Sequence, residues 1–265
     1  RGYVYRDEIS EEPIVFKSDL TISLAAFKRG LFFNDGYLFA GRTLPAGIGI
    51  YFREGEYPSE DFLVEPEDCF LALPEKKADI HKYTGGKLLI VAGSSTYPGA
   101  AVLAASSALK TGCGSVHLAI PDSIYPQLAA LLHNPEIVVH RIPDKGKGHF
   151  TAASAQQIAE LTKKYNAVLC GPGISVNADT TALIKALIGG KVPLVLDADA
   201  LTILGEMGNF DVTAKSIVTP HSGEFGRLTG KSVTQLRENI LDIGKEFSEG
   251  NNILTVYKDF RTVIF

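Results

Sequence analysis

The sequence predicts an α/β protein with three layers, helices covering both faces of a mostly parallel sheet. Three observations carry this. Apolar runs such as KLLIV at 87–91 and VPLVL at 192–196 are continuous rather than alternating, as in strands buried on both faces. They alternate with segments of helical character about ten residues long, the pattern of βαβ crossovers. VPLVL passes straight into Asp197 and Asp199, and SIV at 216–218 into Thr219, Pro220, His221 and Glu224. Buried strands end this way at the carboxyl edge of an open α/β sheet, where ligands bind.

Taken in order, residues 1–50 stand apart. DLTISLAAF, GLFF and YLFAGRTL read as short strands, and Asn34-Asp35-Gly36 between apolar-aromatic runs is a hairpin signal. Residues 51–77 are charged, carry Pro58, Pro66 and Pro74, and read as a connector with one strand at 69–73. From Lys87 the pattern is regular. Strands are expected at 87–93, 115–121, 136–143, 192–197, 216–219 and 252–258, 166–173 reads as a strand followed by its loop GPG, and RTVIF at 261–265 opens another strand. Helices are expected at 98–111, 123–132, 153–164, 180–187 and 232–247. The first has Pro98 in its opening turn and Gly112 after its end, the usual helix punctuation. The chain is thus expected to divide into a small β-rich unit with a linker, 1–60, and a larger α/β domain, 61–265.

The formal net charge of -4 and the absence of a basic stripe argue against a nucleic-acid partner. No apolar run approaches ~18 residues, so no membrane span is expected, and no signal peptide is seen. Cys69, Cys113 and Cys170 are widely spaced and form no metal-type cluster, which suits a reducing cytoplasm. The chain begins at Arg1 rather than Met and stops at Phe265 inside an alternating apolar run, so both ends read as cuts through a longer polypeptide.

Several segments can carry chemistry. GSSTYPGAA at 93–101 follows a strand and opens a helix, so its amides and the helix start suit a phosphate, although a tight turn before an alanine-packed helix reads equally well. GPG at 171–173 ends another strand at the same predicted edge. Asp197 and Asp199 would share one side of a continued strand, where two carboxylates bind Mg²⁺ through water or share a proton. The alternative is local structure, with Asp199 capping a turn at 200–204. His221 can contact a substrate hydroxyl or carboxamide, while Thr219 caps a helix with Pro220 at its first position and Glu224 in its early turns. Lys258 ends a strand with Thr262 close behind, either a phosphate contact or a solvated hairpin lysine.

In order, HKYTGGKLLIVAGS (81–94), YPGAAVLAASSALKTGCGSV (97–116), CGPG, VLDADAL, TPHSGE and YKDFRTVI (257–264) resemble the ATP- or ADP-dependent NAD(P)H-hydrate dehydratases, a family with a ribokinase-like fold. FKSDLTISLAAFKRGLFF and GYLFAGRTLPAGIGI are similar to the last strands of the NAD(P)H-hydrate epimerase domain that precedes the dehydratase in bifunctional bacterial chains. The resemblance implies a lyase that removes water from hydrated NADH or NADPH at the expense of ATP or ADP with Mg²⁺. It also implies a linked isomerase that takes K⁺, acting on small molecules. A cytoplasmic homo-oligomer is expected on other grounds, the cysteine usage and the commonness of symmetric oligomers.

Carried over by position, the substrate-contacting residues are Gly99, Ala100 and Ala101 in the PGAA turn, Gly171, Gly173 and Ser175 at a GPGxG motif, and His221. Ser175 stands where the family has glycine. Lys258, Asp259, Phe260, Arg261 and Thr262 match a nucleotide-binding stretch that normally begins Lys-Gly. Asp197, Asp199 and Glu224 are expected to support the site. The family's Gly-Thr/Ser-Gly-Asp motif, whose Asp is the base, does not occur before Phe265 and is expected beyond it. Two competing readings are a ribokinase-like kinase of a vitamin precursor and a non-catalytic nucleotide-binding module.

Overall fold

The computed structural model describes residues 15–33, 35–50, 61–73, 85–208, 211–212 and 215–265. Asn34, most of the expected connector, and residues 81–84 of the first resembling stretch lie outside these. The chain divides into two compact units, Arg1–Ala78 and Asp79–Phe265. Arg29 pairs with Asp61 within the first unit.

Within the first unit, β1 (Leu20–Leu24) and β2 (Arg42–Ala46) form a two-stranded sheet. The expected hairpin is not formed. The strands are parallel, in register from Leu20↔Arg42 to Leu24↔Ala46. Parallel partners need a crossover, supplied by a 3₁₀ turn at Arg29–Leu31 and helix α1 (Gly36–Ala40). Asp35-Gly36 opens that helix with Asp35 at its N-cap, so the turn signal was real but marked a helix start. The expected strand at 69–73 is also replaced, by helix α2 (Pro66–Ala72). Its start carries Pro66 at the first position, and the Asp68 carboxylate accepts the Glu65 amide at 2.9 Å.

The second unit alternates strand and helix: β3 (Lys87–Val91), α3 (Pro98–Lys110), β4 (Ser115–Pro121), α4 (Tyr125–Leu131), β5 (Val138–Ile142), α5 (Ala152–Thr162), β6 (Ala167–Cys170), α6 (Ala178–Ile188), β7 (Leu194–Leu196), α7 (Asp199–Met207), β8 (Ser216–Val218), α8 (Ser222–Thr229), α9 (Val233–Asn251), β9 (Leu254–Lys258) and β10 (Thr262–Ile264). The eight strands run in the order β10-β9-β8-β7-β6-β3-β4-β5. All neighbours are parallel except β9 and β10. Helix α7, read from sequence only as a turn at 200–204, is a full helix, and α8 is the helix whose start the sequence put at Thr219-Pro220.

Strand alternation explains the layers. Ile90, Val116, Leu118 and Ile120 pack with Ala101 and Ala105 of α3 and with Leu128 of α4. Ala101 and Ala105 are four apart and share one helix face, and their small side chains bring the helix close to the sheet. Leu89 and Val91 project to the opposite face and are also fully buried, so helices must cover both sides. Each fully buried Leu or Ile contributes ~1.5–3 kcal/mol of apolar transfer.

Gly171 is where three strands abut. Its amide donates to the Val91 carbonyl at 3.2 Å, and the next strand returns a bond from the Asp197 amide to the Cys170 carbonyl at 3.1 Å. Its φ is +129°, and a Cβ here would overlap the Asp197 carbonyl oxygen and lie 2.7 Å from Ala200 Cβ. A β-carbon at Gly99, by contrast, would meet open space at the start of α3. Gly171→Ala is therefore expected to cost ~3 kcal/mol in urea unfolding. Gly99→Ala is expected to be neutral or to stabilise by up to ~1 kcal/mol, as a helical glycine replaced by alanine.

A polar cluster spans β4 and the edge strand β5. His117 Nδ1 and His140 Nε2 are 3.0 Å apart, Ser115 Oγ meets His117 Nε2 at 2.8 Å, and the Tyr165 hydroxyl meets His140 Nε2 at 3.0 Å. The ring centroids are 5.3 Å apart with the planes inclined by only 19°, so the rings meet nitrogen to nitrogen, nearly in one plane. Burial lowers both imidazole pKa values. His140 and Lys87 lower His117 further, and Lys164 lowers His140. As pH falls through the ordinary imidazole range, the unfolded chain therefore binds protons before the folded one. Stability should be fullest above that range and drop between about pH 7 and pH 5. His140→Gln should flatten that dependence in urea titrations across this interval, and an unchanged slope would count against the pair as its source.

Candidate active site

The strand order reverses between β3 and β6. From β3 the chain moves outward through β4 and β5, then returns to β6 and proceeds through β7, β8 and β9 on the other side. The carboxyl ends flanking such a reversal form a crevice where α/β sheets bind ligands. Loops 92–97 and 171–177 bound it, with 197–199, 219–221 and 258–262 continuing along the same edge.

The floor is built largely of backbone. Gly93, with φ +86°, donates its amide to the Pro172 carbonyl at 2.9 Å, locking the two loops together. Gly173, with φ +65°, faces Tyr97 and Ala100, and a Cβ there would lie 2.7 Å and 2.9 Å from their β-carbons. Ala100 thus lines this junction, whereas Ala101 is fully buried in the core under α3. Ser95 donates its amide to the Gly148 carbonyl at 2.7 Å, which brings loop 144–149 against the crevice.

That loop is held by two carboxylates. Asp144 is buried, which raises its pKa, yet hydrogen bonds from the Ser123 hydroxyl and the Gly148, Gly146 and Ser123 amides outweigh this and hold it below the ordinary range. Asp179, at the start of α6, accepts Lys147 Nζ at 2.8 Å, the Ala152 amide at 3.0 Å and His149 Nε2 at 3.3 Å. Lys147 first, and then the Ala152 amide, lower its carboxyl to about 2.

The two aspartates do not share a side. Ala198 between them takes φ 52° and ψ −121°, which turns the chain sharply and sends the carboxylates to different partners. Asp197 Oδ1 accepts Lys258 Nζ at 2.8 Å and the Thr219 hydroxyl at 2.7 Å, joining the ends of β7, β8 and β9. Asp199 Oδ2 accepts the Ser175 amide at 2.8 Å. Asp199 is the first residue of α7 rather than its cap, a position filled by Ala198. The expected carboxylate pair is not formed, and the described residues contain no group of three or more His, Cys, Asp or Glu side chains able to hold a metal.

His221, not Thr219, is the N-cap of α8. Its Nδ1 accepts the Gly223 amide at 3.0 Å and the Glu224 amide at 3.4 Å, while the Glu224 carboxylate accepts the His221 amide at 2.9 Å. Glu224 is buried by this reciprocal box. With Nδ1 occupied as acceptor, the imidazole carries its proton on Nε2, on a side chain 56% exposed. The Lys258 amide donates to the Pro220 carbonyl at 2.8 Å and fixes β9 beside it.

Residues 258–262 form the β9–β10 turn, closed by the Asp259 amide donating to the Arg261 carbonyl at 3.2 Å. The Asp259 carboxylate is engaged by the Tyr257 hydroxyl at 3.1 Å and the Phe260 amide at 2.8 Å. Burial, then the Asp259 charge, pushes the Tyr257 hydroxyl up to about 12. Phe260 is 52% exposed, and the Arg261 guanidinium sits 5.8 Å from its ring centroid. Thr262 begins β10.

The edge thus gathers Ala100, Gly173, Ser175, Asp197, Asp199, His221 and Lys258, with Gly99 open beside it. Sequence reasoning missed Ser94, Tyr97 and Asp144. Ser94 and Tyr97 lay inside GSSTYPGAA, but their partners are more than seventy residues away and no local spacing reveals them. The three cysteines are free; burial pushes up the Cys170 thiol. A cavity of about 630 Å³ lies at the far sheet edge between β5 and α5, lined by Val139, His140, Arg141, Gln157, Leu161 and Lys164, and includes none of these site residues. No helix among the described residues is long and apolar enough to cross a membrane.

Comparison with known proteins shows the family. The chain is 33% identical over 95% of its length to a bifunctional NAD(P)H-hydrate repair enzyme of Thermofilum pendens, covering 48% of that protein. It is 31% identical over 94% of its length to the enzyme of the same name from Dictyoglomus turgidum, covering 49% of it. The chain therefore spans about half the length of the curated relatives it matches. Among solved structures, an ADP/ATP-dependent NAD(P)H-hydrate dehydratase from Bacillus subtilis, co-crystallised with ATP and Mg²⁺, superposes with a TM-score of 0.62 at 30% identity, over 75% of this chain and 66% of that one. A ribokinase-like superfamily protein from Enterococcus faecalis superposes with a TM-score of 0.61 at 21% identity, over 72% and 63% of the two chains, and supports the fold alone. The NAD(P)H-hydrate dehydratase family profile matches residues 88–265, most of the chain and all of the strand edge described above, so the chain belongs to that family and has its ribokinase-like fold.

Proposed function

We propose that this chain forms the dehydratase half of a repair enzyme that returns hydrated NADH or NADPH to the intact cofactor, using ATP or ADP with Mg²⁺. The observation that carries the reading is the crevice at the strand reversal, with a glycine floor on one side and His221 and Lys258 on the other. In the proposed complex the hydrated cofactor lies over Gly99, Ala100, Gly173 and Ser175, and the nucleotide over 258–262. A linked epimerase with its K⁺ belongs to the proposed whole protein, as the bifunctional names of the relatives suggest.

The residues present fit a nucleotide. Lys258 is half-exposed, and Phe260 is a half-exposed ring beside a guanidinium, a phosphate contact next to a surface for a base. Among the described residues no group of three or more His, Cys, Asp or Glu could hold a cation, and Mg²⁺ is usually bound through substrate phosphates, here those of the nucleotide. When bound, the nucleotide supplies the phosphoryl group that turns the ring hydroxyl of the hydrate into a leaving group. Asp197 and Thr219 orient the Lys258 ammonium. His221 donates from Nε2 to a hydroxyl or carboxamide oxygen of the substrate. The glycine floor lets loops 92–97 and 171–177 pack backbone to backbone beneath the ligand, with no β-carbon between them.

The test is to incubate the full-length protein with hydrated NADH, Mg²⁺ and either ATP or ADP and follow recovery of NADH absorbance. Recovery is expected with one nucleotide or both. No recovery, with phosphorylation of a thiazole alcohol instead, would replace this reading with a vitamin-precursor kinase. His221→Asn keeps a capping oxygen but loses the imidazole donor. It should raise KM for the hydrated cofactor about tenfold, the worth of one hydrogen bond, and leave nucleotide KM near wild type. Lys258→Ala should do the reverse. Equal effects of each variant on both ligands would overturn the assignment of the two subsites.

A further inference from the structure

Two residues other than glycine take positive φ in adjacent loops at the crevice, Ser175 at 68° after β6 and Ala198 at 52° after β7. Backbone of this kind persists only where its surroundings hold it, and it gathers at functional sites. The two are joined. Ala198 starts the turn that aims Asp199, and Asp199 Oδ2 accepts the Ser175 amide at 2.8 Å. The Ser175 hydroxyl in turn donates to Ser94 Oγ at 3.0 Å across the strand reversal, and Ser94 is 1% exposed. The Ser175 carbonyl accepts the Thr180 hydroxyl at 2.8 Å, which pins the other end of the loop to α6. One short chain of bonds therefore runs from the end of β7, through the loop after β6, to the loop after β3.

We propose that Asp199 is a positioning residue for the substrate floor. Its carboxylate holds the Ser175 amide, and through the Ser175–Ser94 hydroxyl pair it fixes loop 173–175 against loop 93–97 at the width the hydrated cofactor needs. Asp199 touches neither substrate nor metal in this assignment, and Ser175, where the resembling family has glycine, makes the link to Ser94 that glycine lacks. A glycine at this position adopts φ near +68° without strain and needs no holding, so the serine and the aspartate act as a coupled pair. The catalytic part of the proposal rests on the dehydratase reading; the structural part does not.

The experiment uses Asp199→Ala, Asp199→Asn, Ser175→Gly and the Asp199→Ala/Ser175→Gly double variant in the full-length protein. The first readout is amide hydrogen exchange of the peptide covering 171–176. Asp199→Ala should raise its exchange at least tenfold, and Asp199→Asn, whose side-chain carbonyl oxygen can accept the same amide, should stay near wild type. The double variant should exchange less than additively. Unchanged exchange in Asp199→Ala overturns the proposal whatever the enzyme acts on. The second readout is kinetic: Asp199→Ala should raise KM for hydrated NADH about tenfold with kcat and nucleotide KM within about twofold of wild type, and Asp199→Asn should restore it. If Asp199→Ala and Asp199→Asn instead both lower kcat tenfold or more, the carboxylate charge acts in the chemistry and the positioning role is wrong. Wild-type protein inactive on hydrated NADH, with the exchange pattern intact, would overturn the dehydratase reading and leave the positioning role supported.

Discussion

The Asp197 carbonyl leaves no space for a side chain at Gly171, and much of the site follows from that contact. Because β6 ends in bare backbone, β3, β6 and β7 can finish within hydrogen-bonding distance of one another, through Gly171 to Val91 and Asp197 to Cys170. The loops leaving these strands then meet directly. Gly93 bonds Pro172, and Gly173 rests on Tyr97 and Ala100. Any β-carbon at Gly171 would push β7 away and with it Asp197, whose carboxylate is the common anchor of Lys258 and Thr219. A packing limit at one residue thus sets where a cation and the two loops that meet beneath the site stand at the edge of the sheet.

Ala198 shows how this sequence divides one short motif between two tasks. In a continued strand, residues two apart face the same way, and two bare carboxylates would repel unless a metal or a proton lay between them. The turn at Ala198 removes that conflict by sending Asp197 toward β8 and β9 and Asp199 toward the loop after β6. Such a backbone costs of order 1–3 kcal/mol. A charge-assisted bond to an amide contributes roughly 1.5–3 kcal/mol, and the carboxylates make several bonds to donors here, so the strain is offset locally.

The parallel core was legible because burial on both faces leaves a strong mark: continuous apolar runs punctuated by Gly, Pro and polar loop residues. β3, β4, β6 and β9 fall within a residue or two of the reading from sequence, and so do α3 and α5. What failed was local. Asp35-Gly36 and Pro66-Glu67-Asp68 carry turn and cap chemistry that also starts helices, and the choice depends on distant partners such as β2 beside β1. The site was legible as a set of loops at one edge but not as contacts. The Asp199–Ser175, Ser175–Ser94 and Lys258–Asp197 bonds join residues 24, 81 and 61 positions apart. Only the strand order, β6 beside β3 and β9 two places from β7, makes them neighbours.

His221 illustrates why a capping role and a ligand role reinforce each other. A free imidazole interconverts between two neutral tautomers and offers a ligand either a donor or an acceptor. At the N-cap of α8 the Gly223 and Glu224 amides both point at Nδ1, and the Glu224 carboxylate returns a bond to the His221 amide. That arrangement selects the tautomer with its proton on Nε2, and Glu224 Oε1 lies 3.4 Å from that nitrogen, too long for a strong bond. The exposed edge of the ring therefore holds a donor that a closer ligand oxygen can take from this long contact. Replacing the histidine with asparagine would keep the helix start while turning a fixed donor into a group whose oxygen is already committed to the cap. Helix capping here fixes both the orientation and the hydrogen-bonding sense of the residue best placed to meet a substrate hydroxyl or carboxamide.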